Sequence, residues 1–227
     1  MRRSLSRRSA LVQGGLLSLG GLAAAGSGGT LLSLLSAGPA RAAAGLVGQP
    51  APAFTGTDTE GRSVSLADLR GKVVVLEWTN HGCPFVRKHY DSGNMQALQA
   101  EMTGKGVVWL TIASSAEGEQ GHVTAAEAKA RMTAEKWANS HTLLDAKGSI
   151  GRAYDAKVTP HMYVIGKDGT LLYNGAIDDR PTAKIEDIAV AQNYLRPAVE
   201  AALAGTPVAV GTTKPYGCTV KYSKTSA

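Results

Sequence analysis

From Lys72 to Thr79 almost every position is apolar or β-branched, the pattern of a strand buried on both faces. Gly106 to Ile112 repeats that pattern and predicts a second buried strand. Between them, Pro84 to about Tyr90 reads as a helix, Asp91 to Asn94 breaks it, and Met95 to Met102 resumes it. Thr124 to Ala138 predicts a charged, exposed helix, and Ser149 to Tyr154 a short one. Lys157 to Ile165 and Thr170 to Asn174 flank Asp168 and Gly169, the signal of a hairpin. Ile185 to Leu203 predicts the last helix, kinked or restarted at Pro197. Before the first strand, Pro50 and Pro52 hold the chain extended, Glu60 and Gly61 mark a turn or hairpin, and Ser65 to Asp68 a cap-like turn. Residues 206–227 are polar and marked by Pro and Gly, which predicts an irregular tail. The order β-α-β-α-β-β-α is that of an α/β sandwich with a mixed sheet.

The first forty residues follow a different pattern. Arg7 and Arg8 stand in a twin-arginine context, and Ser9 to Ala40 then carries no charge at all. Ala40 and Ala42 flank Arg41 as the small residues of a signal-cleavage site. Seven glycines and four serines between Leu11 and Ala37 make a poor membrane helix, so residues 1–42 read as a cleaved export leader, with an uncleaved membrane anchor as the alternative. The expected destination is the periplasm. The domain organisation expected is thus leader 1–42, one domain at 43–206, and a tail at 207–227. The net charge of +6 contains five leader arginines, and without them only +1 remains, which gives no reason to expect a nucleic-acid partner.

Only two cysteines occur, Cys83 and Cys218, which suits an oxidising compartment. They and five scattered histidines show no metal-ligand spacing. Cys83 follows a strand and precedes Pro84, a favoured first helical residue. A thiol there faces unpaired backbone N–H groups and the positive end of the helix dipole, both of which favour thiolate and a nucleophilic sulfur. The alternative is an inert buried cysteine.

The stretch Gly48 to Phe54, with Ala51, Pro52 and Phe54, resembles the G-x-x-A-P-x-F opening of the redoxin branch of thioredoxin-fold proteins, the alkyl hydroperoxide reductase/thiol-specific antioxidant group. Asp68 to Val75 is similar to that branch's L-x-G-K-x-V-V-V strand, Val158 to Pro160 to the thioredoxin cis-proline, and Ile165 to Gly169 to the hairpin after it. The resemblance covers about residues 46–204 and implies a thioredoxin-like three-layer sandwich with a mixed central sheet. It puts Cys83 on the first, nucleophilic cysteine of C-x-x-C. It puts Glu77 on the buried carboxylate beneath the sulfur, where a desolvated acid relays protons; the alternative is a strand-end carboxylate reaching water. A cis Thr159–Pro160 peptide would face Cys83 and offer backbone for strand-like pairing with substrate. His161 and His81 would favour thiolate if protonated near the sulfur, and Arg87 would add positive potential, each with a plain surface role as the alternative. Cys218 would be a resolving thiol, or half of a structural bridge whose long loop contributes roughly 5 kcal/mol in the chain-entropy model.

The departures sharpen this. Position 86 is Val86, so the second cysteine of C-x-x-C is missing, and Arg87 denies the C-x-x-x-C of copper chaperones of this fold. Thr79 stands four before Cys83, whereas peroxiredoxins carry threonine three before, and no proline stands near Val75. The pattern resembles most closely a peroxiredoxin-like group that keeps only the first cysteine. The implied protein is an exported antioxidant thiol oxidoreductase in which Cys83 attacks a disulfide or peroxide. Its partners would be a protein or small-molecule thiol, disulfide or peroxide substrate and a thiol reductant, with membrane contact only through an uncleaved leader. The chemistry calls for no cofactor or metal. The alternative is a redox-silent binding module stapled by Cys83 and Cys218.

Overall fold

A computed structural model describes Gly45 and residues 47–224; the leader and its cleavage site lie outside these residues. A short antiparallel hairpin, β1 (Thr55–Thr57) and β2 (Ser63–Ser65), and a 3-10 turn at Leu66–Leu69 precede the first central strand, β3 (Val74–Trp78). Helices α1 (Pro84–Asp91) and α2 (Asn94–Gly104) follow, separated at Gly93, whose φ of 75° lets the chain turn without a Cβ penalty. Then come β4 (Val108–Ala113), α3 (Ala125–Ala134), β5 (His141–Leu144) and α4 (Ser149–Ala153). The second half holds β6 (Val158–Thr159), β7 (His161–Ile165), β8 (Leu171–Gly175), a 3-10 turn at Ile185–Val190, α5 (Leu195–Ala204) and β9 (Cys218–Thr219).

The central sheet has the order β5-β4-β3-β7-β8, with β3, β4 and β5 parallel and β7 and β8 antiparallel. This is the mixed sheet of a thioredoxin-like sandwich. Period two assigns its faces. Val73, Val75, Trp109, Met162 and Val164 pack with residues of α1, α2 and α5. Val74, Leu76, Trp78, Leu110, Ile112, Tyr163 and Ile165 pack with Val64, Ile150 and Tyr154 on the other side. The buried strands predicted at 72–79 and 106–112 and the hairpin strands after Lys157 all form.

Three expectations change. The short parallel edge strand β5 was not foreseen, because four residues opening on His141 and Thr142 carry no clear period. The last helical segment breaks not at Pro197 but before it: residues 191–194 are non-helical and Asn193 bridges Asp178. Pro197 then sits in the first turn of α5, where its missing N–H costs nothing. The tail expected to be irregular contains β9, paired antiparallel to β6.

Candidate active site

Cys83 caps α1 in an extended conformation, with Pro84 at the helix start. The preceding turn is closed by its own polar groups: Asn80 Oδ1 accepts from Gly82 N at 2.9 Å, and the Asn80 carbonyl accepts from Cys83 N at 3.0 Å. The helix start aims the sulfur inward, and Cys83 is 0 % exposed. No cap hydrogen bond reaches its side chain; instead Sγ donates to the Thr159 carbonyl oxygen at 3.2 Å.

That carbonyl belongs to the cis Thr159–Pro160 peptide, so the cis-proline loop meets Cys83 as the resemblance implied. The same Thr159 is the register partner of Cys218 across the β6–β9 ladder, and its Oγ1 donates to the Cys218 carbonyl at 3.4 Å. Residues 83, 159 and 218 thus converge on one point. The Cys218 side chain packs against the cluster that contains Cys83. Burial first, and then the neighbouring Cys83, push the Cys218 thiol up to about 12. Cys218 therefore stays protonated at neutral pH.

Glu77 is fully buried on the same sheet face and does not reach water. Burial pushes it up, against the lowering pull of hydrogen bonds from Tyr90, Trp109, Gln99 and Thr111. Tyr90 donates to Oε1 at 2.7 Å, and Trp109, Gln99 and Thr111 donate to Oε2 at 2.8, 3.1 and 3.3 Å. None of these described bonds leads to either cysteine.

The histidines do not join the sulfur. The His161 ring stacks on Tyr163, within the opposite cluster from Cys83, and Nε2 lies 2.7 Å from Asn174 Oδ1. Burial holds it down to about 4, so it is neutral at physiological pH and supplies no positive charge. Burial and the Arg131 charge lower His81 as well. Arg87 is exposed and paired with Asp91 at 2.7 Å and Glu135 at 3.6 Å. A cavity of about 640 Å³, lined by His81, Gly82, Pro84, Arg87, Lys88 and Arg131 among others, opens beside the Cys83 turn.

Sequence reasoning missed the groups that hold the tail here. Lys88 and His89 of α1 are 1 % and 0 % exposed and gather with Asp178 around Tyr216. A signal existed: a short helix between buried strands, with few apolar residues in its sequence, must bury some of its polar ones. Among the described residues, no group of three or more His, Cys, Asp or Glu is placed to hold a metal.

A family model of the AhpC/TSA family matches residues 47–174, more than half of the sequence. The chain belongs to the AhpC/TSA family. As an AhpC/TSA protein it is a thioredoxin-like thiol oxidoreductase of the redoxin branch, with a redox role that calls for thiol or disulfide substrates and a reductant. The fold is shared with solved structures. An uncharacterized conserved protein from Geobacillus kaustophilus is 28% identical, with TM-score 0.66 and 80% and 94% of the two chains covered. A hypothetical protein from Sinorhizobium meliloti 1021 is 25% identical, with TM-score 0.66 and 78% and 94% covered. A candidate protein disulfide isomerase from Bacteroides thetaiotaomicron is 21% identical, with TM-score 0.51 and 70% and 90% covered. A search of curated proteins finds no match.

Proposed function

We propose that this protein is an exported, antioxidant thiol oxidoreductase in which Cys83 is the nucleophile and Cys218 the resolving thiol. The observation that carries the reading is the β6–β9 pairing, which sets Cys218 opposite Thr159 while the Thr159 carbonyl accepts from Cys83 Sγ. Val86 removes the usual second cysteine, and the tail supplies one from 135 residues further along the chain.

With a disulfide substrate, the Cys83 thiolate attacks one sulfur; the substrate S–S bond breaks, the first leaving thiolate takes a proton, and a mixed disulfide remains. Cys218 loses its proton and attacks the Cys83 sulfur, releasing the second substrate thiol. Two substrate thiols form at the expense of the two protein thiols, which become one disulfide. With a peroxide, the Cys83 thiolate attacks the terminal oxygen, the O–O bond breaks and alcohol or water leaves, Cys83 is left as a sulfenic acid, and attack by Cys218 on the Cys83 sulfur then expels water. A thiol reductant restores both thiols in either case.

Thr159, Pro160 and the backbone around them form the substrate side of the site; His161 supports that loop from the opposite face. Arg7 and Arg8, with the uncharged run after them, support export by a twin-arginine route to the periplasm, leaving 43–206 as the folded domain and 207–227 as its cysteine-bearing tail. The complete burial of Cys83 favours one rival, a binding module stapled by the same two cysteines.

The deciding experiment mixes reduced protein, Cys83→Ser and Cys218→Ser with oxidised glutathione or hydrogen peroxide and follows free thiols and mass. The enzyme loses two thiols and two mass units reversibly. Cys218→Ser stops at a glutathione adduct or sulfenic acid on Cys83, and Cys83→Ser does not react. If the bond forms only on unfolding, or yields to reductant only there, the stapled module replaces the enzyme.

A further inference from the structure

The tail does more than carry a cysteine. Three consecutive residues fasten it to the cis-proline edge. Tyr216 donates its hydroxyl hydrogen bond to Asp178, whose other described contacts include Lys88 Nζ at 3.5 Å and His89 Nε2 at 3.8 Å. Lys88 Nζ also donates to the Arg180 carbonyl at 2.8 Å and lies 3.4 Å from the Tyr216 hydroxyl. His89 Nδ1 accepts from Asn94 Nδ2 at 2.8 Å, so Nε2 carries the hydrogen that points to Tyr216, 3.4 Å away. The Tyr216 ring meets Phe85 edge-on, with centroids 5.9 Å apart. Gly217 follows at φ +134°, and a Cβ there would lie 1.9 Å from the Thr159 carbonyl oxygen. Cys218 and Thr219 then form the ladder with Thr159 and Val158. Downstream, Val220 N donates to the Lys157 carbonyl and Tyr222 to that of Ala156.

A buried lysine, histidine and aspartate gathered on one tyrosine are costly groups to desolvate, and hydrogen bonding to Tyr216 helps offset that cost. The residue they hold is two before Cys218, on a strand whose only described pairing partner is the edge that ends at cis-Pro160. An extended polypeptide substrate would need that same edge, since strand addition takes up its free backbone groups.

Resting on the function proposed above, we infer that Tyr216 is a positioning residue: docked in the Lys88–His89–Asp178 cluster, it seats the tail as a built-in strand in the polypeptide-docking edge. The docked tail has two effects. It holds Cys218 against Cys83 for fast disulfide closure, and it shields Cys83 from outside molecules. Release of Tyr216 loses both: closure slows and Cys83 opens to outside molecules.

Tyr216→Phe keeps the ring on Phe85 and removes the hydroxyl; Tyr216→Ala removes both. For each, two rates are read beside the thermal midpoint: alkylation of reduced Cys83 by iodoacetamide in a Cys218→Ser background, and closure of the Cys83–Cys218 bond after a glutathione pulse in the two-cysteine chain. The expected result is opposite movement, with alkylation at least tenfold faster and closure at least tenfold slower in Tyr216→Ala, and Tyr216→Phe between it and the parent. A synthetic peptide of residues 214–221 with Ser in place of Cys218 should slow alkylation of Tyr216→Ala again. A merely structural tyrosine would lower the midpoint without separating the two rates. Unchanged rates, or rates that move together, overturn the inference. If the parent never closes the bond, the proposed function fails, while the alkylation arm with its peptide still decides whether Tyr216 holds the tail over Cys83.

Discussion

Replacing Glu77 by Gln tests the buried carboxylate directly. Four donors converge on Glu77, three of them on Oε2. A protonated Glu77 and a Gln share one layout, with an acceptor oxygen facing Trp109, Gln99 and Thr111 and a donor facing Tyr90, whose hydroxyl then turns from donor to acceptor. With Glu77 protonated, the parent and Glu77→Gln should therefore differ by only about 1 kcal/mol, the worth of one adjusted hydrogen bond. Burial raises the folded carboxyl above 4.5, the value it takes unfolded. Between those two values the folded state keeps a proton that the unfolded state has released, so the Glu77 contribution is complete below pH 4.5 and is lost as pH rises through the folded value. Each pH unit of that window removes about 1.4 kcal/mol from the parent and nothing from Glu77→Gln. Urea unfolding of both proteins from pH 4 to 8 reads the difference, and the common contribution of every other group cancels. Glu77→Gln should gain on the parent as pH rises, then run parallel to it. A flat difference would mean that Glu77 titrates alike in both states. A parent that gains with rising pH would mean that the four donors hold Glu77 ionised, and the reasoning would be refuted.

Gly217→Ala places a methyl on the Thr159 carbonyl, so the β6–β9 ladder must open; alkylation of Cys83 should quicken at least tenfold and the global stability fall by about 1–3 kcal/mol, as for other strained contacts. His161 and His89 are both held down to about 4 by burial, so their contribution to stability is complete above 6.5 and lost as pH falls toward 4. His161→Gln should flatten that slope by up to about 1.4 kcal/mol per pH unit, read by the same urea series. Lys88→Met leaves Asp178 without its buried cation and should cost about 3 kcal/mol, a loss that Lys88→Met with Asp178→Asn should partly restore in denaturant unfolding.

Much of the fold was legible in the order of residues, because it rests on local rules. The β-branched runs at 73–76 and 107–112 fix two strands and, by period two, put Glu77 on the face of Val73 and Val75. Gly93 marks the turn between α1 and α2, and Pro84 marks a helix start that leaves Cys83 as its cap. The mixed sheet followed from the order of the elements, whereas the cis-proline came with the family resemblance rather than from any period. What the sequence could not show are the meetings of distant residues. Tyr216 reaches Lys88 across 128 positions, and Cys83 reaches Thr159 across 76. Glu77 draws its donors from residues 90, 99, 109 and 111, and a four-residue edge strand exists because β4 offers it a ladder. Periodicity reports which side of an element faces the core, whereas hydrogen bonds between elements depend on how those elements dock. A polar tail with no period of its own therefore reads as irregular until the cis-proline edge and the Lys88–His89–Asp178 cluster give its backbone and its tyrosine somewhere to go.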